Sequence, residues 1–288
     1  MESKPVLGVI GGSGLYGMQA LHNVEERQIE TAFGRPSSPI LLGDLAGQRI
    51  AFLARHGLGH VYSPSEVNYR ANILALRLLG VDRVVSVSAC GSLREDYAPG
   101  DIVIPDQLFD HTVARPRSFF GEGLVAHVSV ADPFCSELSD HLARSVSATG
   151  AMLHRGGTSI TIEGPRFSTR AESNTYRAWG MSLVGMTTAP EAFLAKEAEM
   201  CYSVMAHVTD YDVWHMSEEP VTVEMVVRVL EANTRIAQEA IAHLIQHMPS
   251  ERSCRCGHAL QSALITRREH VSAETRRKLA PLVDRTIP

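Results

Sequence analysis

No apolar run in this chain of 288 residues approaches the ~18 residues that a membrane span needs. An excess of positive charge is missing too. The 27 Lys and Arg against 32 Asp and Glu leave a net charge of −5, which argues against nucleic acid or a membrane as partner. Five cysteines, odd in number and mostly scattered, do not resemble a secreted disulfide framework. The first residues run straight toward a strand and lack the charged-then-apolar pattern of a secretion signal. The expected location is cytoplasmic. What is present is an ordinary balance, 44% apolar and 20% charged residues, enough to bury a sizeable core.

The organisation is α/β. Short apolar runs at Val6–Ile10, Ile40–Leu42, Arg49–Leu53, Val84–Val87, Ile102–Ile104, Gly157–Ile162, Leu183–Met186 and Tyr202–Val208 predict strands. Periodic segments alternate with them. Ser63-Pro64-Ser65-Glu66 has the form of a capping box for a helix carrying Val67, Ala71, Leu74 and Leu78, stopped at Gly80. Asp132-Pro133 is placed to cap a helix through Leu138, Leu142 and Val146. Thr169 and Glu172 form a second capping box, and a long helix starts near Thr222. Residues 106–130 show no regular pattern. Such alternation puts the connecting loops at the carboxyl ends of strands, where open α/β sheets collect ligands.

Those loops carry the chemistry. Gly12, Gly14 and Gly17 satisfy a dinucleotide fingerprint, but the segment after them is polar and poorly periodic rather than a helix. A phosphate-binding turn that uses Ser13 fits better than a nicotinamide site, and a dinucleotide oxidoreductase is the remote alternative. Arg55 and His56 follow a strand, where Arg can grip an anion bidentately and His can donate once more; an exposed charged turn explains them equally well. Ser88 and the Ala89 amide sit at another strand end. Asp210 and Asp212, two apart after the run Tyr202–Val208, project to one side if the strand continues, and mark only a turn if it does not. A lone His127 in the irregular region is more often structural than functional. In the tail, Cys254, Cys256 and His258 fall one ligand short of a structural zinc site. Unpaired thiols, a labile disulfide and a metal all stay open there.

Taken together, Gly11-Gly12-Ser13-Gly14, Ala54-Arg55-His56-Gly57, Ser88-Ala89-Cys90-Gly91-Ser92-Leu93, Glu163-Gly164-Pro165-Arg166-Phe167-Ser168, Met186-Thr187-Thr188 and Thr209-Asp210-Tyr211-Asp212 occur in the order of one family. Over residues 6–248 the chain resembles the 5′-methylthioadenosine phosphorylases of the purine nucleoside phosphorylase superfamily. The resemblance implies a single-domain α/β fold, a central mixed β-sheet flanked by helices. It places a tail from 249 to 288 on the same domain or on a neighbouring subunit. It implies inorganic phosphate as co-substrate, no metal or other cofactor, and a trimer or hexamer.

Residue by residue, the resemblance gives phosphate to Ser13, Arg55, His56, Ser88, Ala89 and Thr187. Phe167 would stack near the purine, Ser168 would bond it, and Met186 would line the ribose. Val223 and Val226 would hold the 5′ group, with His127 and Leu260 from a neighbour. Asp210 would protonate the leaving base and Asp212 accept from its exocyclic amine. Relatives selective for 6-oxopurines tend to have Asn in place of Asp210 and lack the second aspartate, so the pair points to adenine. Other adenine nucleosides, adenosine and 2′-deoxyadenosine among them, are the alternative substrates. Ser13 and Ser88 replace the family's common threonines, and the Cys-x-Cys tail resembles prokaryotic members, some of which oxidise it.

Overall fold

The computed structural model describes residues 4–12, 15, 17–18, 20–215 and 222–284, without the side chains of 225, 226, 228 and 230–232. Among the described residues, eleven strands form one mixed sheet flanked by helices. The sheet is organised on β5 (Arg83–Ser92), which pairs with three other strands. β11 (Cys201–Asp210) runs parallel beside it from end to end and is buried throughout, as a central parallel strand should be. On the other side of β5, its first half pairs in parallel with β1 (Leu7–Gly11). Then come β4 (Gln48–Ala54), β3 (Ile40–Leu45) and an edge strand, β2 (His22–Arg27).

The second half of β5 takes a different partner. β10 (Leu183–Gly185) pairs antiparallel with it, Val184 opposite Gly91, and is followed by β9 (Thr158–Ile162) and β7 (Gln107–His111). Two parallel sets of strands thus run toward each other and meet around Gly91. Loops leaving β1, β4, β5 and β11 arrive there from one direction, and those leaving β9 and β10 from the other. The remaining strands, β6 (Ile102–Ile104) and β8 (Leu153–Arg155), extend the β11 side.

Helices cover both faces. α1 (Tyr69–Leu78), α4 (Thr188–Glu197) and α6 (Ala273–Val283) share one core through Ile73, Leu74, Leu194 and Leu279. α2 (Ser136–Ser147) and α5 (Val223–His247) share the other through Leu138, Leu142, Ile241 and Leu244. Each such buried Leu or Ile contributes roughly 1.5–3 kcal/mol against solvent exposure. α3 (Arg170–Ala178) is capped reciprocally by Thr169 and Glu172, the expected capping box.

Four local expectations change. Ser63 and Glu66 do bond each other, but they close a turn; α1 begins later, where the Asn68 side chain accepts from the Ala71 amide and donates to Phe33 O. Asn68 wins because one side chain satisfies both the helix and a distant loop. Leu78, expected on the apolar face, is exposed. α2 is capped by Cys135 rather than Asp132, and the irregular region contains β7. The described residues after 249 pack on the body. Leu279, Leu282 and Val283 enter the core, and Thr275 Oγ1 donates to Glu122 O.

Candidate active site

β11 ends at Asp210, so Asp212 does not share a face with it by strand periodicity. A bulge after Val208 and a left-handed turn at Asp212 (φ 52°) bring the two together instead. The Asp212 amide donates to Asp210 Oδ1 at 2.7 Å. Gly91 makes room: a Cβ there would lie 2.9 Å from Asp210 Oδ1 and 3.3 Å from Asp212 Cβ. Both the strand and the turn readings of this stretch are therefore half right.

Asp210 is buried, and burial raises its pKa from the ordinary carboxylate value, opposed by the Thr209 hydroxyl and the Asp212 amide and aided by the Asp212 charge. Its Oδ2 lies 2.6 Å from Thr209 Oγ1, which is also 3.2 Å from Cys90 O. Donation from Thr209 favours the charged carboxylate, so the upward shift rests on burial.

Asp212 is also raised by burial, opposed by the nearby Ser173 and Ser168 hydroxyls. Those hydroxyls lie close enough to favour its charge, yet neither completes a hydrogen bond to it. Asp212 Oδ2, Ser168 Oγ and Ser173 Oγ are all buried without a partner among the described residues. Leaving one such group unpaired costs about 1–3 kcal/mol, so three together mark a place for a ligand's polar edge. Phe167, one residue from Ser168, is 37% exposed.

The other side of the site is built differently. Arg55, 3% exposed, donates from Nε and Nη2 to Glu191 at 2.9 and 3.0 Å. Nη2 also reaches Ser86 Oγ and Ile10 O, and Nη1 reaches Val87 O. Burial disfavours the guanidinium charge, but the Glu191 carboxylate more than restores it, and the pKa rises. Four of the five guanidinium N–H groups are thus engaged, leaving at most one for a ligand. The expected bidentate grip on an anion is corrected: the planar fork is spent on Glu191. Tyr202 donates to the same carboxylate, and Ser86 continues the chain to Ser88 Oγ at 3.3 Å.

His56 pairs Nδ1 with Tyr62 O at 2.9 Å and stacks on His60. Burial, helped by the Arg55 charge, lowers its pKa to about 4, so the ring is neutral at pH 7. With Nδ1–H donating to the carbonyl, Nε2 of the neutral ring is left as an acceptor. Ala89 and Ser88 lie half-buried on β5, and β10, running the other way, brings Gly185 against Ala89. Thr187 follows as N-cap of α4, buried, with no side-chain capping bond.

Arg115 was not foreseen and joins the loops. From the irregular region it donates to Met186 O, Ala189 O and Glu163 O, at 2.6, 2.8 and 2.7 Å. Glu163 resists its burial through donations from Ser65 and the Val113 and Ala114 amides, which hold its pKa at about 2. Met186 is thereby fixed by its own carbonyl.

Other candidates fall elsewhere. Ser13 lies outside the described residues, as does the Val226 side chain. Val223 is 63% exposed at the start of α5. His127 is exposed, and its amide donates to Ala263 O of the tail. Leu260 is fully buried in its own chain, where its amide donates to Glu199. It has no surface to lend a neighbouring subunit, and that expectation is withdrawn.

The fold and these two polar clusters define an enzyme with a purine nucleoside phosphorylase-like architecture. The family described as the phosphorylase superfamily matches residues 6–246, and this chain belongs to it. It is 51% identical over 277 residues to the S-methyl-5′-thioadenosine phosphorylase of Geobacter sulfurreducens, covering 96% of this chain and 97% of that one. With the namesake enzyme of Koribacter versatilis it shares 48% over 277 residues, 96% and 95% of the two chains. A crystal structure of methylthioadenosine phosphorylase from an antarctic soil metagenomic library superposes with a TM-score of 0.93 at 48% identity, covering 97% and 99%. The Schistosoma mansoni enzyme, solved in complex with adenine, gives 0.85 at 35%, covering 92% and 100%.

Proposed function

We propose that this chain cleaves the glycosidic bond of 5′-methylthioadenosine with inorganic phosphate, releasing adenine and 5-methylthioribose 1-phosphate. The observation that carries the reading is the buried, unpartnered set of Asp212 Oδ2, Ser168 Oγ and Ser173 Oγ beside a carboxyl held toward its acid form. An adenine edge offers what this set lacks: an exocyclic amine for Asp212 and ring nitrogens for the hydroxyls. As the bond breaks, electrons move onto the purine, and Asp210 delivers its proton to N7. Positive charge builds on the sugar, where phosphate both stabilises it and attacks the anomeric carbon. His56, Ser88, the Ala89 amide and Thr187 hold that phosphate, with Ser13 and the last N–H of Arg55. Phe167 stacks on the base and Met186 lines the ribose.

The same reading makes the chain a cytoplasmic purine and methionine salvage enzyme, assembled as a trimer or hexamer. No described helix is long and apolar enough to cross a membrane. The test is base release with and without phosphate, over methylthioadenosine, adenosine, 2′-deoxyadenosine and inosine. Release should require phosphate, with the highest kcat/KM for methylthioadenosine and the lowest for inosine. Equal release without phosphate would sink the phosphorylase reading.

A further inference from the structure

At the opposite end of β11 from Asp210, the tail meets the body through sulfur. Cys201 is the first residue of β11, Cys135 caps α2, and Cys254 and Cys256 lie on the short 3-10 turn Arg255–His258 or at its cap. Their four Sγ atoms all lie within 4.8 Å of one another, and none is in a disulfide. We propose that these four thiolates bind one structural zinc ion, which fastens the tail to α2 and β11. The Cys-x-Cys pair, one ligand short on its own, gains two ligands from the body; His258 points to no role, being exposed and outside the cluster.

Geometry favours the ion. A tetrahedral site with Zn–S near 2.3 Å places its sulfurs about 3.8 Å apart. The thiols are already gathered at that scale, with Cys201 and Cys254 at 3.3 Å. Three of the four are buried and the fourth is half-buried, as suits a closed structural site.

The surroundings supply what thiolates need. The Leu138 amide, in the first turn of α2, approaches Cys135 Sγ at 3.5 Å. Arg252 Nη1 lies 3.8 Å from Cys201 Sγ and donates to Glu199 O as well. Such outer donors orient metal ligands and offset the excess charge of a tetrathiolate site. The loop is also fixed independently of sulfur: Ser253 donates from its amide and hydroxyl to Glu137 on α2. Gly257 keeps Arg252 in place, since a Cβ there would lie 2.7 Å from its Nη2. With Cys201 and Asp210 at opposite ends of a ten-residue strand, the ion sits roughly 30 Å from the chemistry.

The test begins with the intact chain purified under reducing conditions without chelator. Metal analysis should give about one zinc per chain. Apoprotein supplied with Co²⁺ alone should show the d–d absorption of a tetrahedral tetrathiolate site, lost on adding Zn²⁺. Alkylation in denaturant with chelator but no reductant should modify all five cysteines. Cys256→Ser should lose the ion and melt at a lower temperature, with kcat for phosphorolysis retained. Failure of reduced apoprotein to take up Zn²⁺ or Co²⁺ would overturn the proposal, and so would a single alkylation, which means two disulfides. The wild-type measurements decide the matter even if the variant does not fold.

Discussion

The two halves of the site handle charge in opposite ways. On the side proposed to hold phosphate, the buried cation Arg55 is already neutralised by Glu191, and the histidine beside it is uncharged at pH 7. On the side proposed to hold the base, an acceptor and two hydroxyls are buried without a partner among the described residues. The first half is finished before any ligand arrives; the second is finished only by one. A rigid, compensated cluster positions hydroxyls and amides, whereas an unsatisfied one discriminates, because a ligand lacking the right donors leaves the orphans unpaired. Stability should therefore be concentrated on one side and specificity on the other.

Glu191→Ala is the strongest way to break that contrast. It strands a guanidinium that is 3% exposed, and loss of one partner from such a pair costs about 3–5 kcal/mol. Urea unfolding should show the loss as a lower midpoint at unchanged slope. Replacing Arg55 and Glu191 together with Met and Leu should recover most of the stability while phosphate binding stays impaired. A cost below about 1 kcal/mol for the single variant would mean that the pair is not the anchor described.

On the base side the effects should be kinetic. Asp210→Ala should lower kcat by ~10²-fold or more with the fold intact, as removal of a general acid does. In the wild type, kcat should also fall as pH rises through the elevated Asp210 pKa, because the acid form is the active one. Asp212→Asn should act on choice rather than rate, moving the ratio of kcat/KM for inosine over adenosine upward by ~10-fold, about 1.4 kcal/mol. Near-normal kcat in the first variant removes Asp210 from the mechanism, and an unchanged ratio in the second removes Asp212 from base recognition.

How much of this was legible follows from the range of the interactions. Strand order along the sequence and most loop motifs announce themselves through local pattern, and the Thr169–Glu172 box is local chemistry that formed as written. Where local signals competed, tertiary contacts decided, as when Asn68 displaced Ser63 as the cap of α1. Glu191 and Arg115 were hidden because their partners lie 136 and about 50–75 residues away. Glu191 did leave a trace: a carboxylate within the apolar run Ala189–Ala195 calls for a buried cation. The cysteine cluster was half visible, since a count confined to the tail cannot see Cys135 and Cys201 arrive from the body.

The smallest expected effect tests the phosphate side through protons. His56 has its Nδ1–H on Tyr62 O and a pKa near 4, so the free enzyme at pH 7 presents an acceptor, Nε2, to an anion. Phosphate can bond there only with a proton in between, either on the ring or brought by the monoanion. Binding then takes up a proton relative to the neutral ring and the phosphate dianion, and affinity must weaken as pH rises, by up to tenfold per unit. Folding carries the opposite sign: with a pKa depressed from 6.5, the unliganded protein is stabilised by neutral His56 above that value and loses the contribution as pH falls through about 4. Phosphate KM measured from pH 6 to 9 in the wild type and in His56→Gln separates this from phosphate's own ionisation. The wild-type slope should be steeper by up to one proton, and identical slopes would show that His56 carries no proton to the bound anion.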